Sequence, residues 1–146
     1  MSEVLETVEM PAVADEPVVS NSILISVRPM CNVDENDNGF DKQLIPLINS
    51  QIMVANHEMG VGIDGFNITG EREEWSDWLG TGEEKLAAIK TWLGYSVLLL
   101  FDPPDNATVL KAIQQTVDKF AWMLESKSRL QGYSKTIYPV EYVEED

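Results

Sequence analysis

Apolar residues recur every three or four positions along most of this chain, the spacing that gathers them on one side of an α-helix. Phe40, Leu44, Ile48, Ile52, Ala55 and Met59 form one such face, and Gly60 follows where a helix usually ends. Pro46 removes a backbone donor inside that pattern, which predicts a kink or a delayed start, with Asp37 or Asn38 as the cap. Upstream, Ile23, Val27 and Met30 share the face of a short helix that Pro29 keeps short. Downstream, Leu86, Ile89, Leu93, Val97 and Leu100 form a stripe behind Glu83 and Glu84, acids at the favourable end of a helix dipole. Towards Phe101 nearly every position is apolar, which predicts a helix end enclosed on all sides. Asp102-Pro103-Pro104 stops this helix and Asp105 can cap the next. There Leu110, Ile113, Val117, Phe120 and Leu124 repeat as a heptad-like seam. The short link between the two helices predicts an antiparallel pair.

The remaining segments read differently. Gly62 to Gly70 has turn residues and an alternation of Phe66 and Ile68 around Asn67, the pattern of a short strand or hairpin. Glu73 to Leu79 suits one or two helical turns with Trp75 and Trp78 on a shared face. Residues 1–21 have two prolines, no glycine and no aromatic, and read as an acidic flexible arm. Residues 131–146, rich in Tyr, Ile and Val and interrupted by Pro139, read as an extended C-terminal arm. The expected fold is therefore mainly α: a small helical bundle over residues 22–130 with a short β-hairpin or strand segment and two extended arms.

Charge narrows the function classes. Ten Lys and Arg against 25 Asp and Glu leave −15, with nine of those charges in residues 1–16 and 141–146. Such a surface repels phosphate, which disfavours nucleic-acid binding and attraction to an anionic membrane. No apolar run is long enough to span a bilayer, and the acidic N-terminus lacks the basic start of a secretory signal. A single cysteine, Cys31, and a single histidine, His57, rule out an internal disulfide and a His-rich or Cys-rich metal site within one chain.

Several motifs resemble chemistry without completing it. Gly60-Val61-Gly62-Ile63-Asp64-Gly65 has dinucleotide-like glycine spacing, but a helix precedes it and a strand is expected after it, the reverse of what pyrophosphate binding needs. Asp34 to Gly39 imitates half of a calcium loop, yet its twelfth position is Ile45 and its ninth is Lys42. A capped turn accounts for the same residues. Asn67-Ile68-Thr69 and Asn106-Ala107-Thr108 are glycosylation sequons without a secretory context. Cys31 and His57 have no local nucleophile signature, so a buried thiol and a surface imidazole are expected. Glu71, Glu73, Glu74 and Asp77 are expected to be a solvated face. Trp75 and Trp78 are either anchors of an interface or members of a small core. Tyr138 and Tyr142 find little core in a domain this small, so a neighbouring chain is a plausible host.

An ordered set of segments carries a family resemblance. It runs from Phe40-Asp41 and Leu44-Ile45 through Ile48-Asn49, Gly60-Val61-Gly62, Phe66-x-Ile68 and Trp75-x-Asp77-Trp78-Leu79. It continues with Ile89-Lys90-Thr91-Trp92-Leu93 and ends in Leu99-Leu100-Phe101-Asp102-Pro103-Pro104. The chain resembles, over about residues 22–125, the head–tail connector (adaptor) proteins of tailed bacteriophages. The resemblance implies a structural virion protein at the head–tail junction, made in the bacterial host cytoplasm, with no enzymatic activity and no cofactor. It implies a homo-oligomeric ring, a dodecamer, between the portal protein and a tail or stopper protein, with genome DNA only as passing cargo and no membrane. The interface residues expected on this reading are Trp75, Trp78, Phe101, Asp102, Tyr138 and Tyr142. One departure stands out: where family members often flank a tryptophan of the last helix with an acid and an arginine, this chain has Ala121-Trp122-Met123-Leu124. The alternative from another class is an acidic DNA-mimic inhibitor of a nucleic-acid-binding protein, supported by charge alone.

Overall fold

The computed structural model describes residues 21–81 and 85–136, and of 126–136 the backbone alone. Among these residues the chain forms α1 (Ile23–Met30), α2 (Asp41–Glu58), α3 (Trp75–Leu79), α4 (Leu86–Phe101) and α5 (Ala107–Thr136). The arm at residues 1–20, the acids Glu83 and Glu84, and the tail beyond Thr136 lie outside the described residues.

The helices arise where the periodicity places them, but several ends are made by other residues. Ser22 caps α1, its hydroxyl accepting from the Ile25 amide at 3.2 Å. α2 begins at Asp41 without the expected delay, and its N-cap is Phe40, with no side-chain cap. Asp37 instead turns back on its own loop, accepting from the Gly39 amide at 2.8 Å. Pro46 lies inside the helix without interrupting it; it and Lys42, whose carbonyl it cannot serve, are both exposed. Asn106, not Asp105, caps α5, accepting from the amides of Thr108 and Val109 at 2.9 and 3.1 Å. α5 also continues to Thr136, so residues 131–136 are helical where an extended arm was expected.

The strand or hairpin expected between Gly62 and Gly70 is absent from the described residues. Gly60, Gly62 and Gly65, at φ of 66°, 76° and 83°, wind this segment into a loop. Ile68, the one fully buried residue of the alternation, satisfies its backbone on a side chain instead of a strand. Its amide donates to Asn49 Oδ1 at 2.7 Å and its carbonyl accepts from Asn49 Nδ2 at 3.0 Å. Among the described residues the β-like pairing is a single antiparallel bridge between Ser22 and Glu74.

The core gathers Ile23, Leu24 and Val27 of α1, Leu44, Ile48, Ile52 and Ala55 of α2, both tryptophans of α3, and Ile89, Trp92, Leu93 and Val97 of α4. α4 is the central element, packing against α1, α2 and α5. Met30 of α1 lies so close to Gly94 of α4 that a Cβ there would sit 2.1 Å from its Sδ. Ile113, Val117, Phe120 and Leu124 close α5 onto the core. Among the described residues the C-terminal end of α4 is not enclosed on all sides: Leu98 is buried but Leu100 is exposed, with no described element covering it.

Among the described residues one charged group lies inside. Arg28, 1% exposed, grips Asp41 through Nε and Nη2 at 2.8 to 3.2 Å. Its Nη1 donates to the Glu35 carbonyl at 2.7 Å, and Nη2 also meets Glu71 Oε2 at 2.7 Å. Burial works against the Arg28 charge, and the two carboxylates more than offset it, holding the guanidinium above its ordinary pKa. One side chain thus joins α1, the 32–40 loop, the start of α2 and the approach to α3. Arg28→Met strands these acceptors and is expected to cost about 3 kcal/mol of stability, read from urea unfolding. A change below 1 kcal/mol would show the clasp to be incidental.

Candidate assembly surface

Most residues that resembled chemistry hold the fold together. Asp34 Oδ1 accepts from the Asn36 amide at 2.8 Å and Asp41 serves Arg28, so two acids of the calcium-like loop are bound to protein donors. Among the described residues no group of three or more His, Cys, Asp or Glu is placed to hold a metal ion. The cluster at 71–77, expected as a solvated face, is largely structural. Glu71 pairs with Arg28, and Glu74 and Asp77 form a capping box on α3. Glu73 accepts from the Thr69 hydroxyl at 2.7 Å and the Gly70 amide at 3.3 Å. Burial would raise its pKa, but these bonds prevail and lower it.

Cys31 is fully buried at the end of α1, while His57 is exposed on α2 beside Asp64, at 3.9 Å. Burial, with the nearby charge of Asp102, pushes the Cys31 thiol up to about 12. A proton held so tightly in the folded chain stabilises it fully below the thiol's unfolded pKa of about 8.5. That contribution is lost as the pH rises from there through about 12. Stability measured by urea unfolding between pH 8 and 11 should therefore fall more steeply for the native chain than for Cys31→Ala.

Of the six residues expected at an interface, Trp75 and Trp78 lie inside the subunit, their ring centroids 6.3 Å apart. Trp75 Nε1 donates to Ser26 Oγ at 3.1 Å, and Lys90 Nζ lies 5.6 Å over its ring. Trp78 Nε1 donates to Asn56 Oδ1 at 3.1 Å, and Phe66 stacks on its other side at 6.4 Å. As the subunit stands, these indoles shape its surface from beneath. Phe101 is half-buried and meets Phe40 edge-on at 5.7 Å, and Asp102 beside it is exposed. With exposed Leu100 they form an apolar and acidic end of the bundle. Tyr138 and Tyr142 lie outside the described residues.

Two further surface features escaped the reading of the sequence. Met53, Asn56 and His57 of α2 and residues 64–67 line an open groove of about 290 Å³, and Ile63, next in sequence, is exposed. The stacked pair of Phe66 and Trp78, pinned through Asn56, gives that groove a preformed wall. On α5, Trp122 is 65% exposed, with Met123 and Val109 also out of the core. At 100° per residue Trp122 lies about 180° from Ile113, directly opposite the seam. A large aromatic off the apolar stripe of an amphipathic helix is a sequence signal, legible once the seam is drawn.

The loop beside the groove depends on Gly62. A Cβ there would fall 2.0 Å from Trp78 Nε1 at φ +76°, whereas at Gly65, φ +83°, it would meet nothing within 4 Å. Both alanine substitutions strain the backbone, but only Gly62→Ala displaces the indole. It should be the less stable by about 1–3 kcal/mol in urea unfolding. Equal losses would mean that the contact has no energetic weight.

A small helical subunit with a filled interior, its chemistry-like motifs bound up in caps and turns, and apolar side chains left on separate faces belongs to the class of assembly proteins. Residues 23–131 match the family model described as phage connector protein, and this chain belongs to that family. It is a structural, virion-located head–tail connector of a bacteriophage, from a family of non-enzymatic proteins. No curated protein and no solved structure matches the chain. No helix among the described residues is long and apolar enough to cross a membrane.

Proposed function

We propose that this chain forms a ring adaptor, a dodecamer, between the portal protein and a tail or stopper protein, lining part of the channel through which genome DNA passes. The observation that carries the reading is the family match, which covers the helical body from α1 into α5. Apolar side chains on separate faces support it, because a closed ring needs two different contact surfaces on each subunit. Phe101 and Asp102, with Phe40, suit one of these surfaces. Tyr138 and Tyr142 suit docking into a neighbouring subunit.

The acidic charge taken alone also fits a DNA mimic, which presents carboxylates as phosphates. The distribution favours the connector. α5 carries five Lys and Arg against Asp118 and Glu125, a basic helix of net +3 on an acidic chain. The experiment is mass spectrometry of purified particles, with negative-stain imaging of the protein mixed with portal. The expected result is a stoichiometric virion component and rings stacked on the portal. Its absence from particles, together with a stable complex with a nuclease or repressor, would overturn the connector reading.

A further inference from the structure

We infer that the acidic, aromatic end of the subunit, where Phe40 and Phe101 meet, receives the basic last third of α5 from a second copy of this chain. The inference rests on the assembly reading and deepens it by naming both halves of one contact.

The receiving end is built from the start of α2, the end of α4 and the loops beside them. Phe40 is 42% exposed and meets Phe101 edge-on at 5.7 Å, and Leu100 beside them is 53% exposed. Asp102 lies close enough to Cys31 for its charge to act on the thiol, which brings the 31–40 loop to the same end. That loop contributes exposed Asp34, Glu35 and Asp37, and exposed Asp105 follows Asp102. Asp41 is already held by Arg28. Five exposed acids thus stand against two exposed bases, Lys42 and Lys111, a net of −3 around an apolar patch.

The entering segment is residues 126–136, whose backbone continues α5. It contains Lys127, Arg129 and Lys135 together with Leu130 and Tyr133. No acid occurs between Glu125 and Glu141, and with Glu125 counted residues 125–136 are still net +2. Cations interleaved with apolar residues suit an acidic surface that exposes aromatic rings.

Helix geometry makes the occupant a second copy. α5 starts at Ala107, five residues after Asp102, so the receiving end sits at its N-terminus. At 1.5 Å per residue Lys127 lies about 30 Å and Thr136 about 44 Å along the helix from Ala107. The two halves of the contact are therefore at opposite ends of α5 and cannot meet within one subunit. The other segments outside the described body are poor occupants: residues 1–20 carry five acids and residues 137–146 four, neither with a base, so like charge opposes them. Between copies each subunit offers one half to each neighbour, a heterologous contact that yields a ring when its rotation closes.

The test is sedimentation analysis of the full chain up to millimolar concentration, at low and high salt. The native chain is expected to self-associate, more weakly at high salt. Combining Lys127→Glu with Arg129→Glu should weaken association at least about tenfold, and adding Asp102→Lys with Asp105→Lys should restore it. Asp105→Lys alone, at an exposed position that caps no helix, should weaken association without loss of helix content by circular dichroism. A native chain that stays monomeric, association indifferent to salt, or variants that associate like the native chain would overturn the contact. A chain lacking residues 137–146 should still associate. If it does not, while Lys127→Glu with Arg129→Glu does, the tail is the occupant and the inference fails. Any of these failures leaves the protein's presence in virions, read by mass spectrometry, unaffected, so the two readings fail separately.

Discussion

Enclosing α4 is the constraint on which the rest of the structure depends. Its sequence is so uniformly apolar that a single partner helix could not remove enough of it from water. α1, α2 and α5 each pack against it. Gly94 permits the close approach of Met30, and the seam of α5 supplies the remaining cover. Beyond that packing, α2 leaves Met53 and Val54 exposed and α5 leaves Val109, Trp122 and Met123 exposed.

The acidic character of the chain has a second consequence. A helical body with so many carboxylates repels itself unless some are engaged. Several are engaged near the chain reversals, among them Asp41 and Glu71 on Arg28, Glu73 on Thr69 and Gly70, and Asp77 on the start of α3. These bonds hold the loops that precede α2 and α3, and the second of those loops continues from the groove. Acids that looked like idle surface charge thus shape the part of the molecule best suited to contact. The chain's net −15 is carried largely by the two ends and by loop positions, while α5 is basic.

Periodicity alone located α1, α2, α4 and α5, and it identified which face of each turns inward. This works because a helix is built from bonds between near neighbours, and a stripe of apolar side chains at 3.6-residue spacing has one way to leave water. The same local logic placed Gly60 at the end of α2 and read the run through Trp75 and Trp78 as a helical turn. The family itself was legible from an ordered set of segments running through these elements, and the match over residues 23–131 shows it. Cys31 as a buried thiol and His57 as a surface group followed from their lack of companions.

What tertiary structure decided were the features whose partners lie far along the chain. The alternation at Phe66 and Ile68 marked burial correctly but not a strand, because Asn49, on another element, supplies the bonds that a neighbouring strand would have made. Trp75 and Trp78 could have faced in or out, and only the meeting of α1, α2 and α3 turns them inward. Arg28 gave no signal within its own helix, since its acceptors are brought to it by two separate loops. Leu100 belongs to an apolar run yet stays exposed, as exposure depends on where neighbouring elements end. Short-range spacing determines which helices form and which side of each avoids water; which long-range partner satisfies a given polar group, or leaves an apolar one uncovered, is settled only when the elements come together.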